Sequence, residues 1–306
     1  MIPVALVLAC PVGWAADAAD APVEAPAQEP ARFGPADAVV ALLAFLFGVL
    51  LLENWRTRGR LAAPPRRLFC PWGLLDVLAV LLMFFTWALV GRLTVGVLPP
   101  GMRTWAVSLV TGVAGLAMSA AVLLLLNRQY GLWPRDVGLR WNHWRRDLLL
   151  AGGLLLVVLA VRSPLAGLFQ YLHRLVGEPV KAQQAVSLMQ EERSPWRLAV
   201  MIVVAVVVAP LWEEILFRGF LQPFLTRRTG VWPALVLTAI LFSLIHDVPG
   251  SRFLMWPVTL FPLALALGYA YHRTQRLSAS ILLHVLHNLI PVVLLLGERL
   301  ESLKPG

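Results

Sequence analysis

Ala209-Pro210-Leu211-Trp212-Glu213-Glu214-Ile215-Leu216-Phe217-Arg218-Gly219 is the stretch on which the reading of this chain turns. It continues a run from Leu198 to Val208 built almost wholly of Val, Ala, Ile and Met. Together they read as one apolar helix that carries two adjacent carboxylates and a guanidinium. A charged side chain at the centre of a bilayer costs about 2.5–3.5 kcal/mol on insertion scales. Three such groups within about one and a half turns need partners inside the protein, and the rest of the chain must supply them.

The composition says what kind of chain this is. Of 306 residues, 59% are hydrophobic and 14% charged, with a mean hydropathy of +0.74. Soluble domains carry about 25% charged residues, so the chain reads as an integral membrane protein. Its apolar runs approach the ~20 residues that cross ~30 Å of hydrocarbon as helix. The fold class that follows is all-α, a polytopic transmembrane bundle of about eight helices rather than a barrel. The net charge of +9 reflects arginine collecting in cytoplasmic loops; with no basic-aromatic module, nucleic acid is excluded as a partner. The two cysteines, Cys10 and Cys70, imply neither a disulfide framework nor a zinc motif, and both read as inert.

Along the chain, residues 1–16 resemble a signal peptide followed by small residues, though a basic n-region is missing. Residues 17–35, rich in Ala, Pro, Glu and Asp, read as disordered. A first span over 36–52 meets Arg56, Arg58, Arg60, Arg66 and Arg67. By the positive-inside rule the N-terminus is then outside, in a bacterial inner membrane. Spans at 73–91 and 104–126 follow, the latter meeting Arg128, Arg135, Arg140, Arg145 and Arg146, which agrees with that orientation. Residues 36–134 form an accessory set of membrane helices, 135–296 the functional core and 297–306 a tail. The core begins with a span at 147–162, where Gly152-Gly153 suits close helix packing. In the external segment 163–195, Leu165, Leu168, Phe169, Leu172 and Leu175 predict a separate amphipathic surface helix. The span at 196–228 carries the opening stretch, with a kink expected at Pro210. Spans at 231–246, 254–271 and 278–296 complete the set.

Stripped of apolar residues, the last four spans leave Glu213, Glu214, Arg218, His246, His284, His287 and Asn288. Glu214 and Arg218 are i,i+4 and share a helix face, as do His284 and Asn288 and, in the span before, Phe242 and His246. Glu213 is turned about 100° away from Glu214 and needs a different partner. A carboxylate shielded from bulk water is a usable general base. An imidazole beside it can hold the same water and later pass a proton to a leaving amine. A second imidazole and an amide can donate to the oxyanion of a tetrahedral intermediate. The set Glu213, His246 and His284 is equally a ligand set for catalytic zinc with an open fourth position, although no HExxH is present. Spacing does not choose between zinc and no cofactor. His272, His287, Asp76 and Arg92 read as structural, and Asp247 as a loop-start residue.

Glu213-Glu214-Ile215-Leu216-Phe217-Arg218-Gly219 resembles the EExxxR motif, with its FRG ending, of the CPBP intramembrane proteases. That family groups CAAX prenyl endopeptidases with bacteriocin-processing and Abi-type proteins. Phe242 to His246 is similar to its FxxxH motif, and His284 to Asn288 to its HxxxN motif, preceded by Ser280-Ile281. Val137-Gly138-Leu139-Arg140 is similar to a weaker upstream feature. The resemblance covers roughly 135–296, and three motifs in order on successive apolar helices make it specific. It implies a helical membrane endopeptidase, of metallo- or glutamate type. It also implies that Glu213 activates a water held by His246, that His284 and Asn288 stabilise the oxyanion, and that Glu214 and Arg218 support the site. A signal-bearing chain points to a peptide or membrane-protein substrate, met in the lipid bilayer, rather than a prenylated one. The competing classes are a non-catalytic membrane scaffold or bacteriocin-immunity protein, disfavoured by the intact motifs, and a proton-coupled transporter. The last would show matching broken helices in both halves, and the first half carries no such polar set.

Overall fold

The computed structural model describes residues 70–177, 184–246 and 255–302. The readings of 1–16, 17–35 and the first span at 36–52 lie outside the described residues, as do Cys10, Asp247, the Arg92 side chain and the end of the 297–306 tail.

Eight helices make up the described residues: α1 (Leu74–Gly96), α2 (Pro100–Tyr130), α3 (Trp144–Leu175), α4 (Gln184–Glu191), α5 (Pro195–Thr229), α6 (Val231–Leu244), α7 (Met255–Thr274) and α8 (Leu277–Ser302). No strand occurs among them. Helices occupy each of the seven expected spans that fall in these residues. Five are long and apolar enough to cross a membrane, α1, α2, α3, α5 and α8. α6 has 14 residues, about 21 Å at 1.5 Å per residue, short of the ~30 Å hydrocarbon layer.

Two expectations are corrected. α3 does not stop at 162 and restart as a surface helix; it runs unbroken for 32 residues through Pro164. The stripe taken for an amphipathic surface helix is the last part of α3, with Phe169 and His173 turned into the protein. Of Gly152-Gly153, expected at a close helix crossing, Gly152 faces open space while Gly153 is buried. A tight approach falls between α2 and the motif-bearing helix, where a Cβ on Gly115 would stand 2.4 Å from the Trp212 ring.

α5 is the central post of the bundle because three apolar cores share it. Phe217 joins Ala151, Leu154, Phe242, Leu263 and Leu283 from α3, α6, α7 and α8. Phe220 and Phe224 join Trp72, Met118 and Leu126 on the α1–α2 side. Leu198, Met201 and Val206 pack with Leu188 of α4 and Val292 of α8. The outer face of α1, with Leu75, Leu82 and Leu93 exposed, suits contact with lipid. Glu213, Glu214 and Arg218, in the middle of α5, are buried because the helices around them cover that part of it.

Candidate active site

The backbone of α5 is not uniform. Two π-helical turns interrupt it, Val204–Val208 and Ile215–Leu221, and each is followed at once by a proline-bearing α-turn, Pro210 and Pro223. Proline has no N–H and its ring clashes with a carbonyl of the preceding turn; widening that turn to π relieves the crowding. The predicted kink at Pro210 takes this form. One consequence reaches the site. In the first π-turn the Ala209 N–H bonds to the Val204 carbonyl, so the Ala205 carbonyl loses its α-helical donor. Its π-helical donor would be the nitrogen of Pro210, which has no hydrogen. The orphaned carbonyl is met instead by Asn288 Nδ2 of α8 at 2.9 Å.

Between the two π-turns stand Glu213 and Glu214, both buried. Glu214 Oε1 accepts from Arg218 Nη1 at 3.0 Å, the i,i+4 pair expected from the sequence. The same oxygen accepts from His284 Nδ1 at 3.0 Å. Arg218 is wholly buried, donates from Nη2 to the Ala264 carbonyl of α7 at 3.1 Å, and lies 4.4 Å from the centre of the Phe242 ring. A buried guanidinium is tolerable only with such partners.

Glu213 points the other way. Its Oε2 lies 3.6 Å from His246 Nε2 and 3.8 Å from His284 Nε2, and it has no hydrogen-bond partner. Both imidazoles are held from behind. His246 Nδ1 lies 2.7 Å from the Phe242 carbonyl, which can only accept, so that nitrogen carries the proton. His284 Nδ1 donates to Glu214 by the same logic. In their neutral forms both rings therefore turn a bare Nε2 toward Glu213 Oε2. Two bare ring nitrogens at 3.6 and 3.8 Å from one carboxylate oxygen leave a place for a molecule that brings its own hydrogens.

The structure thus brings together Glu213, His246 and His284, backed by Glu214 and Arg218. Asn288 stands one turn beyond His284, and its amide is engaged with Ala205 and with His287 Nδ1, 3.1 Å from Oδ1. His287, read as structural, bonds to Arg162 of α3 at 2.6 Å. His272 lies at the end of α7, its Nδ1 unpartnered. The Glu214–His284 bond and the Arg162–His287 bond were not expected, because no local spacing links residues 70 and 125 positions apart. In the sequence Arg162 is simply the last residue of the span at 147–162.

The donor types of Glu213, His246 and His284 suit zinc, although among the described residues no group of three such side chains has the arrangement of a formed metal site. The chemistry below is accordingly derived from the side chains alone.

Residues 195–290 match the family model described as type II CAAX prenyl endopeptidase Rce1-like. That stretch is similar to the Rce1-like family. It contains all three motifs and lies within the resemblance drawn from sequence. Among curated proteins, UPF0177 protein YbdI of Lactococcus lactis subsp. lactis (strain IL1403) is 31% identical over 91 residues, 30% of this chain and 46% of that protein. The chain thus spans about half the length of the relative it matches. No solved structure matches. The matched family is described as one of CAAX prenyl endopeptidases, and five helices of this chain are long and apolar enough to cross a membrane.

Proposed function

We propose that this chain is an intramembrane endopeptidase that hydrolyses peptide bonds of a peptide or membrane-protein substrate. The observation that carries the reading is the unpartnered, buried Glu213 Oε2 with two backed imidazole Nε2 atoms at 3.6 and 3.8 Å. A water placed there gives one hydrogen to Glu213 Oε2 and the other to His246 Nε2. Glu213 takes the proton as the water oxygen attacks the scissile carbonyl carbon. The resulting oxyanion needs donors. His284 donates to it only when a second proton sits on Nε2, its Nδ1 proton staying on Glu214 Oε1. Two carboxylates, one guanidinium and one imidazolium then sum to zero, which limits the cost of burying them. The second amide hydrogen of Asn288 is the other donor. Collapse of the intermediate breaks the C–N bond, and the proton on Glu213 passes across His246 to the leaving nitrogen. One water is consumed, and a carboxylic acid and an amine are released.

The test is cleavage of a membrane-peptide library by the purified protein, comparing wild type with Glu213→Gln and His246→Ala. Loss of a positioned base or acid costs about 10²–10⁴-fold, so both variants should fall by at least two orders of magnitude. Cleavage at the wild-type rate by both would end the proposal. The same assay with and without a chelator tells a metallo- from a glutamate-type enzyme.

A further inference from the structure

We propose that Arg162 is a positioning residue for the amide of Asn288 and that it acts through His287. The inference rests on the hydrolytic reading above, in which Asn288 is an oxyanion donor. Arg162 sits on α3, half-buried, with no carboxylate within ion-pair distance among the described residues. A cation on a membrane helix is costly and tends to mark a functional path. Its Nη1 lies 2.6 Å from His287 Nε2. A guanidinium has only donors, so His287 Nε2 accepts and the single ring proton must sit on Nδ1. That proton faces Asn288 Oδ1 at 3.1 Å. The amide nitrogen is thereby turned the other way, to the Ala205 carbonyl at 2.9 Å.

Every bond in this chain runs in one direction, from Arg162 to His287 to Asn288 to Ala205. One end can only donate and the other, the carbonyl orphaned by the π-turn and Pro210, can only accept. The order cannot be reversed without leaving a buried group unpaired. Amide nitrogens carry two hydrogens, and Ala205 takes one. The second remains for an oxyanion, while a flipped Asn288 would present its oxygen there and repel the developing charge. With the guanidinium gone, the imidazole is free to carry its proton on Nε2, and the amide is free to flip.

The experiment combines steady-state cleavage with ¹⁵N-histidine NMR of the full chain in micelles. In wild type, His287 is expected as the Nδ1–H tautomer. Arg162→Leu should bring in the Nε2–H form and lower kcat roughly 10- to 100-fold with KM unchanged, the range of supporting hydrogen bonds and oxyanion donors. Arg162→Lys, which keeps a donor-only cation, should recover most of kcat. A wild-type His287 protonated on Nε2, or an Arg162→Leu variant with wild-type kcat, overturns the proposal. If Arg162→Leu does not fold, the wild-type tautomer decides. If wild type cleaves no peptide, the hydrolytic reading fails, and the tautomer still tests the hydrogen-bond chain by itself.

Discussion

Glu214 Oε1 accepts from both Arg218 and His284, whereas the Oε2 of its neighbour Glu213 accepts from no side chain. The difference sets opposite expectations for the same substitution. Glu214→Gln leaves the guanidinium of Arg218 buried without a carboxylate, and breaking a buried pair typically costs about 3–5 kcal/mol; the variant should melt well below wild type in micelles. Cys70 makes a second prediction. Burial pushes its thiol up to about 11, the nearby Arg227 and Arg228 opposing this only in part. The raised value means that about one thiol in a thousand is ionised at pH 8, and the thiolate is the reactive form. In a Cys10→Ser background, maleimide labelling at pH 8 should be slow in the folded protein and fast after denaturation; fast labelling of folded protein would contradict the burial. At this scale the sequence disclosed the identities of Glu213, His246 and His284 through their motifs, and the Glu214–Arg218 pair through spacing. It did not disclose that Glu214 also holds His284, because that bond joins two helices 70 positions apart.

The two π-turns of α5 are the element on which the site depends. Pro210 keeps the Ala205 carbonyl without a backbone donor, and that vacancy draws in Asn288. Pro210→Ala restores an N–H and removes a helix-breaking ring, a change worth up to about 3 kcal/mol to a helix. The variant should be at least as stable as wild type yet turn over more slowly, since Ala205 no longer anchors the amide. Melting temperature and kcat measured together check this; a gain in both would contradict it. Gly115 makes the opposite kind of prediction. A side chain there meets the Trp212 ring, and overpacking of this sort costs about 1–3 kcal/mol, so Gly115→Val should melt lower. A kink at Pro210 was readable from sequence; its resolution as a π-turn was not, since the choice depends on what neighbouring helices can bond. The misplaced end of α3 has a similar cause. Arg162 and Pro164 look like a stop when read locally, but His287 of α8 gives the arginine a partner.

Across the molecule, the end of the bundle that carries the α2–α3 and α7–α8 connections is tied by polar contacts. Asp147, wholly buried in the first turn of α3, accepts from Arg276 Nε at 2.9 Å and from Arg276 Nη2 and Ser278 Oγ. Gly138, at φ +96°, accepts from the Leu277 N–H at 2.7 Å, and a Cβ there would stand 2.9 Å from the Gln275 carbonyl. These contacts fix where α8 starts, and so the height of His284. Gly138→Ala should destabilise by about 1–3 kcal/mol and reduce turnover with it. The helical membrane class and order of the spans were legible in composition and apolar run length. The convergence of three helices on Glu213 was suggested by the few polar residues left in the last spans and by the motif resemblance, because periodicity assigns faces and not neighbours.

The central claim is that Glu213 does chemistry while Glu214 holds the fold. Glu213→Gln tests it most directly, with turnover and melting temperature measured on the same preparation. The account predicts turnover lower by about 10²-fold or more with a melting temperature at or above that of wild type, because an unpartnered buried carboxylate is replaced by a neutral amide. Retained turnover, or a loss matched by an equal loss of fold, would contradict it.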